Sequence, residues 1–154
     1  NAKPDGAWRW DQGSLYDGVM AATGKYESSP TLAELEAIAG EAFATIPRPL
    51  SRHVAGVAIR VVEFPDEQTM GAMELESPFD ILGLYVGVSL DQKSLSDTPS
   101  DIDRIYLYRR PLLDYWCETD ENLYHLVRHV LIHEIGHHFG FSDDDMEQIE
   151  ANPG

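Results

Sequence analysis

The chain has 154 residues, 43% of them apolar, the size and composition of one globular domain with its own hydrophobic core rather than of a disordered chain. The 11 basic residues against 27 acidic ones leave a net charge of −16, a field that repels phosphate backbones and excludes nucleic acid as an expected partner. No apolar run approaches the ~20 residues of a membrane helix, so no membrane contact is expected.

Cys117 is the only cysteine, so no disulfide can close within the chain, in keeping with a reducing, cytoplasmic setting. Its distance in sequence from the histidines makes it a quiet packed thiol. No basic stretch followed by an apolar one suggests a signal peptide. Asn1 and Ala2 read as the scar of a cleaved tag.

Residues 1–30 form a distinct extension, with Gly6, Gly13, Gly18 and Gly24 among Trp8, Trp10, Tyr16 and Tyr26 and no sustained period. Tryptophans in such a tail find an apolar surface, so it is expected to drape over the domain of residues 31–154. Thr31 and Glu34 make a capping box, and Leu32, Leu35, Ile38, Ala39, Ala42, Phe43 and Ile46 form one stripe of an amphipathic helix that Pro47 and Pro49 stop. Residues 54–64 are apolar on both faces apart from Arg60 and read as a buried strand. A polar connection over 67–80 shows no clear pattern. Residues 81–90 read as a strand that bends at its glycines, and 91–101 as a loop. Residues 102–109 alternate, Ile105 and Leu107 against Tyr106 and Tyr108, as a half-buried strand closed by Arg109-Arg110-Pro111. A helix of about 20 residues then runs from Asp120 to Phe139, with Val127, Val130, Leu131, Ile135 and Phe139 as its core stripe.

That helix carries His133-Glu134-Ile135-Gly136-His137, followed by Gly140 and Asp143. Residues four apart share a helix face, so His133 and His137 can aim imidazoles at one ion, with Glu134 beside them to polarise a water. Gly140 allows a left-handed exit from the helix, and the turn can return Asp143 as a third ligand. Three protein ligands leave a fourth position open, the mark of a catalytic zinc site; a solvated pair of histidines is the bland reading, to which the glycine and the aspartate are extra coincidences. Asp144 and Asp145 compete for the third position, and spacing favours Asp143. His125 and His129 continue the ladder upstream, but it drifts ~40° per step at 3.6 residues per turn. His125 therefore points away, and His129 reaches the edge of the site as a solvated or supporting residue. His138 reads as a surface or hydrogen-bonded histidine, and Gly136 as a place of close packing with no partner evident.

The string H-E-x-x-H-x-x-G-x-x-D resembles the Asp-zincins, metallopeptidase-like proteins that hold zinc with two histidines and an aspartate. Together with the order of helix, strand, Leu82–Gly87, Ile105–Leu112 and motif helix, it is similar to the small bacterial mini-zincins, over about residues 31–146. The resemblance implies an α+β fold, a small mixed sheet of three to four strands packed on an N-terminal helix and a long active-site helix. It implies one Zn2+ held by His133, His137 and Asp143, Glu134 as general base, and a peptide or protein substrate. Two imidazoles and a carboxylate would also accept other divalent transition metals.

Hydrolysis also needs a donor for the tetrahedral oxyanion, worth about 3 kcal/mol. Only 11 residues follow Asp143, so the donor is expected upstream. Tyr106, Tyr108 and Arg109 are candidates, because a zincin's edge strand runs beside the cleft; packing or solvation is the ordinary role of each. Two other functions compete: a zinc-binding, non-catalytic zincin-like protein serving as a binding module, and a module in which residues 1–30 occupy the cleft.

Overall fold

The computed structural model describes residues 28–88 and 102–152. The expected drape of residues 1–30, apart from its last three residues, the loop at 91–101 and the end of the 81–90 strand lie outside the described residues.

The first helix, α1 (Leu32–Ala44), starts as its sequence dictates. Thr31 Oγ1 accepts from the Glu34 amide at 3.1 Å, and Glu34 returns a carboxylate oxygen to the Thr31 amide at 2.8 Å. Leu35, Ala39 and Ala42 are fully buried, and Ile46 follows them into the core just past the helix. The prolines stop α1 as expected, but Pro47 and Pro49 also start a one-turn helix, α2 (Arg48–Ser51), where a missing amide hydrogen is harmless.

The buried strand expected at 54–64 is shorter and less covered. β1 spans Ala58–Val62, and only Val61 in it is buried. Val54 reaches the core from the turn before it. The patternless segment after β1 holds α3 (Glu67–Ala72), capped by Asp66, whose carboxylate accepts from the Thr69 amide at 2.8 Å. β2 is Gly83–Val86 and β3 is Arg104–Tyr108. Arg109-Arg110-Pro111 does end β3, but by opening α4 (Arg109–Cys117). Pro111 stands in the first turn, where no helical partner exists for an amide hydrogen. The motif helix, α5 (Leu123–His138), is 16 residues long and capped by Asn122 rather than Asp120. A final helix, α6 (Asp143–Ala151), was not evident in the acidic run that forms it.

The three strands lie in the order β1-β3-β2, β1 parallel and β2 antiparallel to β3. This is the small mixed sheet of three strands, in an α+β fold, that the resemblance implies. α1 packs on β1 and on α5, and α5 on β2 and α6. Ile105 and Leu107, both fully buried, face this main core. Tyr106 and Tyr108 face the other way, where Tyr108 joins Met73, Ile81 and Leu84 in a smaller cluster. β3 is therefore the central strand. The expectation that Tyr106 and Tyr108 stand on an edge strand is corrected: β1 and β2 flank them. No helix among the described residues is long and apolar enough to cross a membrane.

Candidate metal centre

Ten of the sixteen residues of α5 are buried, because the helix is covered by the sheet, α1 and α6. His125, His129, His133 and His137 recur every four residues along the side that is not. Their identical spacing gives a ladder on one face. His133 and His137 have ring centroids 6.1 Å apart, and His129 and His133 are closer, at 4.1 Å. Glu134 is fully buried beside this ladder. His125 is exposed, as the drift of the helix predicted. His138 is also at the surface, stacked on the Tyr85 ring at 4.0 Å.

Downstream, the chain turns as the glycine required. Gly140 has φ +79°, and two backbone bonds close the end of α5: Gly140 N–H to His137 O at 3.3 Å and Phe141 N–H to Gly136 O at 2.8 Å. This left-handed closure reverses the chain within three residues. Ser142 then caps α6, its Oγ accepting from the Asp145 amide at 3.1 Å. Three aspartates in the first turn suit the positive end of the helix dipole. The partner of Gly136 is Met146, fully buried on α6. A Cβ on Gly136 would come within 2.7 Å of Met146 Cγ and closer still to its sulfur.

Asp143 is exposed at the first position of α6, and its charge acts on His137. Burial, then the neighbouring His133, push the His137 imidazole below its ordinary value, and the opposing pull of Asp143 offsets this only in part. The direction favours the neutral ring, the form that ligates metals.

A different carboxylate stands against His129 and His133. Both oxygens of Glu150, near the end of α6, lie 2.7 Å from His129 Nδ1, and one lies 3.5 Å from His133 Nε2. Among the described residues, the three-donor group whose ligand atoms all lie within 4.8 Å of one another is His129, His133 and Glu150. Burial would raise the Glu150 carboxyl, but hydrogen bonds from His129 and His133 and their charges outweigh it and hold the group at about 2. Sequence reasoning missed Glu150 because it missed α6. The available signal was Ser142 three residues before Asp145, a capping pair, with Met146 and Ile149 at helical spacing.

Behind the ladder, Arg128 is only 7% exposed. Its guanidinium donates to the carbonyls of Glu150 at 2.8 Å and Asn152 at 2.7 Å, and to Thr45 Oγ1 at 2.9 Å. One side chain of α5 thus ties the ends of α1 and α6 to the metal-site helix.

Of the upstream candidates, Tyr108 is 2% exposed. Its phenol is held well above the ordinary value by burial, then by the charges of Asp66 and Glu134, so it remains a protonated donor. Tyr106 and Tyr108 line a groove of about 520 Å3 with Val62, Phe64, Leu84 and Val86, and none of the histidines borders it. Arg109 donates to Pro30 O at 2.7 Å and to Glu63 at 3.0 Å. Those bonds are ties at the sheet end. Cys117 is half-buried, and burial, then Asp114 and Glu118, raise its thiol, which keeps it neutral.

The donor chemistry fits zinc: several imidazoles, that of His137 biased towards its neutral form, carboxylates within one helix-turn-helix, and an ionisable residue buried beside them. A comparison with curated proteins returns no match. A family model described as zincin-like metallopeptidase matches residues 54–152, more than half of the chain. The strand, the motif helix and the returning α6 all fall inside that match, and the chain belongs to the zincin-like metallopeptidase family.

Proposed function

We propose that the protein is a zinc-dependent peptide hydrolase, with His133, His137 and Asp143 holding the metal and Glu134 serving as general base. The reading is supported by a fully buried Glu134 on the same helix as His133 and His137, whose rings lie 6.1 Å apart, and by the left-handed exit that starts α6 with Asp143 acting on His137. Zinc, when bound, supplies Lewis-acid polarisation and acidifies a water towards ~7. With the metal held there, Glu134 would take a proton from a water as its oxygen adds to the carbonyl carbon, and would hand that proton to the amine as the C–N bond breaks. Its burial keeps bulk solvent from competing for the transfer. Of the oxyanion candidates, Tyr106 and Tyr108 line a groove that none of the histidines borders, and Arg109 is already committed to Pro30 and Glu63. The substrate is a peptide or protein. The net charge of −16 argues against a nucleic acid, and the setting read from the single cysteine is the cytoplasm.

The test is digestion of a broad peptide library by the zinc-loaded protein beside Glu134→Gln. Turnover should fall by about 10²–10⁴-fold with unchanged metal content. Equal cleavage by both proteins would remove Glu134 from the role of general base, and none by the wild type would leave a zinc-binding module without catalysis.

A further inference from the structure

We propose that His129, His133 and Glu150 form a second site for a zinc-like divalent cation, one helical turn upstream of the proposed catalytic set and sharing His133 with it. The site goes beyond the hydrolase reading and stands without it, because Glu134, His137 and Asp143 take no part.

The donors have the right chemistry. Two imidazole nitrogens and a carboxylate suit zinc and its neighbours among the transition metals, and three ligands leave a position for water. The geometry is close to what an ion demands. A tetrahedral zinc with bonds of ~2.0–2.1 Å spaces its ligand atoms about 3.3 Å apart. His133 Nε2 and Glu150 Oε1 are already 3.5 Å apart. The His129–Glu150 separation of 2.7 Å is a hydrogen bond and must open by roughly 0.6 Å to admit the ion, a side-chain rotation that leaves both helices in place.

The backbone beneath these donors is fixed. Arg128, one residue before His129, grips the Glu150 carbonyl itself and that of Asn152. The carboxylate and the two imidazoles are thus held on one clamped pair of helices, so little chain ordering remains to be done on binding. Entry is open. The side chains of His129 and Glu150 are about one-third exposed, at 30% and 32%, and a cleft of about 480 Å3 bordered by Tyr124, His125 and Arg128 reaches Glu150.

Because His133 Nε2 faces Glu150, an ion here takes that nitrogen, and since a neutral imidazole has one lone pair, His133 serves one ion at a time. The rival role for the same residues is an ion pair between α5 and α6 that never takes a metal. Cobalt(II) separates the two, as its visible absorption reports coordination directly and needs no hydrolysis. In the variant His137→Asn with Asp143→Asn, which removes the downstream donors, one cobalt per chain should still bind with a spectrum of low coordination number. Adding Glu150→Gln, or separately His129→Asn, should weaken that binding by on the order of 100-fold or more, beyond the loss expected from a residue that merely orients a ligand. Glu150→Gln keeps a hydrogen-bond acceptor for His129, and circular dichroism and urea denaturation establish that each variant is folded. A folded double variant that binds no cobalt would overturn the site, as would cobalt binding insensitive to both Glu150→Gln and His129→Asn. Neither result touches the hydrolase reading, which fails on the peptide digest by the wild type and Glu134→Gln.

Discussion

Gly136 lies one residue before His137, and its missing side chain is where Met146 sits. A methyl group there has nowhere to go, because Met146 is itself fully buried and α6 is held by the closure at Gly140 and by Arg128. Gly136→Ala should therefore lower stability by about 1–3 kcal/mol, the range for overpacking a filled core, although alanine is the better helix former. Pairing it with Met146→Ala should restore part of the loss, since the cavity accepts the new methyl. Urea denaturation of the two single variants and the double measures the coupling. Additivity within about 0.5 kcal/mol would mean the two residues do not meet. His137 shows the same dependence on neighbours, its imidazole pushed towards the neutral form by burial and by His133 more than Asp143 can reverse.

At the level of elements, α6 matters more than its length of 9 residues suggests. It brings three things to α5: Asp143 at its start, Met146 beneath Gly136, and Glu150 against His129 and His133. A helix this short is marginal by itself and depends on docking. Arg128 supplies the dock, a buried guanidinium satisfying two carbonyls at the end of α6 and Thr45 at the end of α1. Charged hydrogen bonds of this kind contribute about 1.5–3 kcal/mol each at most, and the unpaired carbonyls left behind add to the loss. Arg128→Met, of similar reach but without donors, should lower unfolding free energy by about 2–4 kcal/mol. Metal affinity should fall with it, because Asp143 and Glu150 would no longer be held. Denaturation and cobalt titration on the same variant check both; unchanged stability would show that the sheet and α1 hold α5 without this tie.

For the whole molecule, the excess of acidic residues is the dominant long-range term. A net charge of −16 on a chain this size repels itself, and the repulsion is felt most when the chain is compact. Raising salt from about 0.01 to 0.15 M shortens the screening length from roughly 30 to 8 Å. Stability should rise by on the order of 1 kcal/mol over that range. Thermal unfolding in a salt series checks it, and a midpoint that falls with salt would place the favourable ion pairs, such as Arg109 with Glu63, above the repulsion.

Much of this protein was legible where local rules act alone. The capping box of Thr31 and Glu34, the left-handed Gly140 and the one-faced pair His133 and His137 are determined within a turn or two of chain, and all three stand as their residues dictate. The local pattern failed where an element depends on a distant partner. α4 begins at a proline-containing segment that reads as a stop, and α6 grows from an acidic run whose aspartates read as candidate ligands rather than as the start of a helix. Each becomes a helix once it has a surface to cover. The order β1-β3-β2 likewise put Tyr106 and Tyr108 on a central strand, because strand pairing is chosen across the fold and leaves no mark within one strand. Glu150 lies 17 residues beyond His133, and no spacing rule relates them. Only the fold of α6 back along α5, pinned by Arg128, puts that carboxylate against two imidazoles. The helical period placed the histidines on one face; long-range packing selected which acids face them.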